Sequence, residues 1–87
     1  MYYCYLLRCA DNSLYCGITN DLKKRVAEHN SISSHAAKYT RSRQPVKLVY
    51  FEKCNNKETA LKREIQIKKL EKSQKEELIV LSGHSIR

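Results

Sequence analysis

Two short runs of β-forming residues, Tyr2–Arg8 (YYCYLLR) and Leu14–Thr19 (LYCGIT), flank the turn-forming Asp11-Asn12-Ser13, and this pattern leaves the chain the least freedom. Aromatic and branched side chains suit a pleated surface, and Asp, Asn and Ser favour the reversal between them. The chain therefore begins as a β-hairpin. Because strand side chains alternate, Tyr3, Tyr5 and Leu7 share one face and Tyr2, Cys4 and Leu6 the other. In the return strand Tyr15, Gly17 and Thr19 oppose Leu14, Cys16 and Ile18. A register matching odd positions with odd would gather Tyr5, Tyr15 and Gly17 on one face and the thiols on the other, but local sequence leaves the register open.

After the hairpin, Asn20 or Asp21 is a good N-cap for a helix over residues 21–30 (DLKKRVAEHN). With Leu22 at zero and 100° per residue, Val26 falls at about 40°, His29 at about 340° and Arg25 at about 300°, so Arg25 and His29 flank the apolar stripe. Residues 31–45 are polar, contain no acidic residue and read as a basic loop. Residues 46–51 (VKLVYF) read as a third strand ending in Glu52. Asn55-Asn56-Lys57-Glu58 has capping-box spacing and opens a helix to about Leu70; Ser73-Gln74-Lys75-Glu76 repeats the signal for a last helix over 74–81, ended by Gly83. In the first of these helices, with Leu61 at zero, Ile65 lies at about 40° and Glu64 at about 300°, which puts the carboxylate beside the apolar stripe. The order is β-β-α-β-α-α, an α+β class.

The 87 residues allow one small domain, and 17 Lys and Arg against 9 Asp and Glu give a net charge of +8. Such a charge favours anionic partners, nucleic acid first. No apolar run is long enough to cross a bilayer, which argues against a membrane partner, and the N-terminal residues lack the pattern of a secretory leader, so a cytoplasmic location is expected. Cys4, Cys9, Cys16 and Cys54 lack the spacing of paired zinc ligands and read as reduced thiols packed as small hydrophobes.

Three ionisable features stand out: the strand tyrosines, the Arg25/His29 pair four residues apart, and Glu64 against a buried face. Taken singly, each has a plain structural explanation: packing tyrosines, a solvated helix edge, and a carboxylate paired with Lys68 one turn on. Taken in order, Tyr3-Cys4-Tyr5, Tyr15-Cys16-Gly17, Arg25, His29 and Glu64 resemble the GIY-YIG endonuclease domain over essentially the whole chain. The chain is most similar to small standalone members with segments like CADNSLYCGITNDLKKRVAEHN and ALKREIQIKKL, and is also similar to the incision module of bacterial excision repair.

The resemblance implies a three-stranded antiparallel sheet flanked by helices, one divalent ion (Mg²⁺ or Mn²⁺), and hydrolysis of nucleic-acid phosphodiesters, in DNA and by structure rather than sequence. It assigns catalytic roles to Tyr5, Tyr15, Arg25, His29 and Glu64, with Gly17 as the motif glycine and Glu64 as the metal ligand. These types suit the reaction: Mg²⁺ uses one or two carboxylates plus phosphate, Arg stabilises transition-state charge, and a tyrosine acts as a base only if neighbours favour its phenolate. Which tyrosine is the base stays open. Lys38, Arg41, Arg43, Lys47 and Lys68 are the candidate phosphate contacts. With no appended reader of sequence, selectivity would come from nucleic-acid shape or from a protein partner. Many family members carry a late Asn where this chain has Glu76. That departure keeps open an alternative, a nucleic-acid binding module with little or no catalysis, and a third reading is a domain that docks an acidic protein.

Overall fold

The computed structural model describes residues 1–31 and 37–82. Strands β1 (Tyr2–Arg8), β2 (Leu14–Thr19) and β3 (Lys47–Cys54) form one antiparallel sheet in the order β2-β1-β3. The helices are α1 (Leu22–His29), α2 (Lys38–Arg41), α3 (Lys57–Lys68) and α4 (Lys72–Ser82). The expected α+β architecture is present, with one addition: the four-residue α2 lies inside the segment expected to be loop. No helix among the described residues is long and apolar enough to cross a membrane.

Tyr5 pairs with Gly17 and Leu7 with Tyr15, so the hairpin takes the odd-with-odd register. Two cores follow from the alternation. Cys4, Leu6, Cys16, Tyr50 and Cys54 pack with Ala60 and Ile67 of α3, while Tyr5, Leu7, Cys9 and Val46 face Tyr15, Leu22 and Val26 on the α1 side. All four cysteines are buried free thiols, but Cys9 lies on the tyrosine side, apart from the other three. The turn closes with the Asn12 amide donating to the Cys9 carbonyl at 2.9 Å, Asn12 itself adopting a left-handed φ of 69° that Asn tolerates.

Several boundaries differ from expectation. Strand β3 runs to Cys54 because it pairs with β1 as far as the Tyr2–Cys54 match, and a bulge at Val49 of β3, opposite Leu6 and Leu7 of β1, lets Val49 and Tyr50 both pack on the α3 side. Asp21 caps α1, accepting from the Lys24 amide at 3.1 Å. The cap of α3 is Asn56, one residue later than the capping box suggested, accepting from the Thr59 amide at 2.8 Å. Helix α4 starts at Lys72, ahead of Ser73, and the Gln74 side chain accepts from the Glu71 amide at 2.9 Å. Gly83, expected to end it, lies outside the described residues.

The face of α3 is the larger correction. Leu61 and Ile65, expected to be the buried stripe, are 41% and 55% exposed, whereas Ala60 and Ile67 are fully buried. The small Ala60 lets the helix sit close against the sheet, which a larger side chain there would prevent. With Ala60 at zero, Glu64 falls at about 40° and Ile67 at about 340°, so Glu64 belongs to the buried face itself.

Candidate active site

Tyr5, Tyr15, Arg25 and His29 come together on the α1 side of the sheet. Tyr5 and His29 are 1% and 0% exposed, and the Tyr5 hydroxyl lies 2.9 Å from His29 Nε2. The Tyr15 ring packs against His29 with centroids 5.1 Å apart. The Arg25 charge acts on the Tyr5 hydroxyl, and Arg25 donates to Glu28 at 3.1 Å. Gly17 makes this arrangement possible. A Cβ there would stand 2.6 Å from Tyr5 Oη and 3.1 Å from Tyr15 Cε2, so both rings occupy the space a side chain would need.

Burial sets the protonation states. It is the main reason the His29 imidazole is pushed down to about 4, with the Arg25 charge adding to the lowering and Glu28 opposing it, so His29 is neutral at pH 7. Burial raises the Tyr5 phenol above its ordinary value and Tyr15 adds to this, while Arg25 pulls in the opposite direction. The resting site is thus a neutral phenol bonded to a neutral imidazole beside a guanidinium.

The helix α2 completes the site, and sequence reasoning missed it. Thr40 is fully buried, with Oγ1 2.8 Å from His29 Nδ1, and the Tyr39 ring packs on Tyr15 with centroids 5.8 Å apart. Gln44 Nε2 donates to the His29 and Ser31 carbonyls, and Asn30 bonds both the amide and the carbonyl of Val46, which ties this segment to the end of α1. The only local signal was Tyr39, an aromatic residue in an otherwise polar, acid-free stretch.

Glu64 lies elsewhere. It is on α3 in the opposite layer, its charge acts on Cys16 of β2, and it pairs with Lys68 at 3.4 Å. Cys16 and Gly17 are adjacent in β2 and point to opposite faces, so the carboxylate and the tyrosines flank the same edge strand. Among the described residues no group of three His, Cys, Asp or Glu could hold a metal ion. Glu64 fits a single anchoring ligand for a hard divalent ion that keeps its waters and takes phosphate oxygens; its side chain is 17% exposed, and Lys68, 53% exposed, is its exchangeable partner.

The candidate phosphate contacts divide. Lys38 and Arg41 are exposed on α2, next to the residues that touch Tyr15 and His29. Arg43 is engaged instead: it bonds Asp11 at 3.0 Å, donates to the Tyr39 carbonyl, and lays its guanidinium 3.9 Å from the Tyr39 ring centre. Lys47, exposed on β3, lines a hollow with Arg8 and Asn12 that shares no residue with the tyrosine cluster. Glu76 makes a double ion pair with Arg8 of β1, both contacts at 2.5 Å, and also pairs with Lys72 at 3.2 Å. These bonds hold its carboxyl down to about 2 and tie α4 to the sheet.

Comparison with known proteins fits this geometry. The model of the GIY-YIG catalytic domain matches residues 1–77. A UPF0213 protein of Clostridium perfringens is 56% identical over 87 residues, covering 100% of this chain and 89% of that protein. Another from Desulfotalea psychrophila is 47% identical over 81 residues, covering 93% and 73%. The solution NMR structure of a UPF0213 protein from Bacillus halodurans superposes with a TM-score of 0.60 at 40% identity, covering 98% of this chain and 89% of that one.

Proposed function

The chain belongs to the GIY-YIG family, and we propose that it is a metal-dependent endonuclease that hydrolyses phosphodiesters of DNA, selecting structure rather than sequence. The observation that carries this reading is the buried Tyr5–His29 hydrogen bond beside Arg25, a proton-accepting pair next to a fixed positive charge. A purely structural tyrosine does not need a neutral histidine and a guanidinium at its hydroxyl.

In this reading the phosphodiester meets the half-exposed Tyr15 and Arg25. Arg25 binds the phosphate and gains strength as negative charge builds in the transition state. The attacking water must lose a proton. A tyrosine hydroxyl can accept it without becoming a free phenolate if its own proton moves on, and His29 Nε2 is the acceptor behind Tyr5. The negative charge of a bound phosphodiester favours the imidazolium, offsetting the low resting basicity of His29. Glu64 would hold one Mg²⁺ or Mn²⁺, which when bound supplies polarisation of the phosphate and neutralisation of the leaving oxygen. Lys38 and Arg41 add sequence-independent attraction to the backbone. Selectivity then rests on nucleic-acid shape or on a protein partner.

The test is incubation of the purified protein with single-stranded, nicked and branched DNA in Mg²⁺ or Mn²⁺, beside Glu64→Gln. Cleavage by wild type that is lost in the variant supports the reading. Salt-sensitive binding without cleavage would replace it with a binding module, and equal cleavage by Glu64→Gln would remove Glu64 from the chemistry.

A further inference from the structure

We propose that Thr40 is a positioning residue that fixes His29 as the Nδ1–H tautomer, so that Nε2 is the free acceptor facing Tyr5. Its consequence for catalysis rests on the nuclease reading above; the tautomer itself does not.

A threonine hydroxyl has one proton. The Ala37 carbonyl, 3.1 Å from Thr40 Oγ1, can only accept, so when the hydroxyl proton is directed there Oγ1 meets His29 Nδ1, 2.8 Å away, as an acceptor. Nδ1 therefore carries the imidazole proton, and in a neutral ring Nε2 then does not. On the other side of the ring the Tyr5 hydroxyl can donate or accept at Nε2, so Thr40 decides the tautomer. With Nε2 unprotonated, the phenolic proton of Tyr5, 2.9 Å away, points at it. Proton direction along the chain Ala37–Thr40–His29–Tyr5 is thus set from the Thr40 end, and every member is buried or backbone. The reverse tautomer would aim two protons at each other between Nε2 and Tyr5, or turn the phenol away so that it could pass nothing to His29.

Thr40 is also unusually separable from the surrounding fold. The Ala37 carbonyl that accepts from it accepts from the Arg41 amide as well, at 2.9 Å. Removing the hydroxyl therefore leaves α2 closed and takes from the molecule mainly the partner of His29 Nδ1. Valine has nearly the shape of threonine and no hydroxyl; serine keeps the hydroxyl and loses only a methyl.

The experiment is ¹⁵N NMR of His29 at pH 7 in wild type, Thr40→Val and Thr40→Ser, with Mg²⁺-dependent cleavage of branched DNA measured on the same samples. Wild type and Thr40→Ser should show a protonated Nδ1 and an unprotonated Nε2, and Thr40→Val should lose that preference. Cleavage should fall in kcat by about 100-fold in Thr40→Val with KM nearly unchanged, and return in Thr40→Ser. A wild-type His29 protonated on Nε2 overturns the proposal, and that spectrum alone decides if Thr40→Val does not fold. An unchanged Nδ1–H tautomer in folded Thr40→Val also overturns it. If wild type cleaves nothing, the nuclease reading fails while the spectra still decide the tautomer.

Discussion

Acidification should destabilise this protein through one residue, His29, before any carboxylate matters. The imidazole is fully buried and titrates near 4 in the folded chain, against 6.5 when unfolded. As pH falls below about 6.5 the unfolded chain takes up a proton that the folded chain refuses, so stability decreases with falling pH and levels off once the native imidazole also titrates, near 4. Between pH 7 and pH 5 the two values give a loss of about 2 kcal/mol. Over the same interval Glu76, lowered from 4.5 to about 2, contributes about 0.2 kcal/mol, because its unfolded form is still mostly ionised. Against a total stability of about 5 to 15 kcal/mol, and with a urea slope near 1 kcal/mol per molar, the midpoint should move down by roughly 1 to 2 M. The assay is urea unfolding of wild type and His29→Gln from pH 7 to pH 4.5. Subtracting one curve from the other removes what the two proteins share. A flat difference between pH 7 and pH 5, or a native His29 ring that titrates near 6.5 by NMR, would refute the reasoning.

Gly17→Ala should cost about 1 to 3 kcal/mol, because the new Cβ would sit 2.6 Å from Tyr5 Oη and 2.8 Å from Cζ of a buried ring; urea unfolding reads the loss, and NMR should show the Tyr5–His29 contact broken. Glu76→Gln should cost about 1 kcal/mol at pH 7 after allowance for solvent screening of side chains about one-third exposed. Since the Glu76 carboxyl is held low, the difference from wild type in acid titration should shrink as pH falls from 4.5 toward 2. Replacing both Lys38 and Arg41 with Ala should reduce the slope of log affinity for DNA against log salt by about 1 to 2; an unchanged slope would remove α2 from the interface.

Local alternation was enough to read the hairpin and the two faces of each strand, but its register was settled only by packing, since both faces carry buried side chains. The α3 face was misread for a physical reason. Helical periodicity weighs side chains by hydrophobicity, so Leu61 and Ile65 dominated, but contact with a sheet is set by how closely the backbone can approach, and that selected Ala60. Helix α2 was invisible because no local pattern asks for it: Gln44 and Asn30 hold its segment against α1 from outside. Thr40 shares that origin. Its role depends on a hydrogen bond to a residue eleven positions away and on a carbonyl three positions back, and neither leaves a trace in composition or period.

The same alternation that sorts the cores also explains how so small a fold can divide a proposed site between two layers. Tyr15 and Gly17 face α1 while Cys16 between them faces α3, and β2 is the outer strand of the sheet. Glu64 and the tyrosine cluster therefore lie on opposite faces of the outermost strand of the sheet. A phosphodiester laid along that edge could reach both layers without a deep cleft, and a backbone reached at an edge is recognised by its charge and its path rather than by its bases. If that is how the site works, a charge-reversing substitution on the outer edge, such as Thr19→Glu, should weaken DNA binding and cleavage together while leaving the Tyr5–His29 bond intact. Wild-type affinity in that variant would show that the nucleic acid does not cross β2, and the division of the site would then need another explanation.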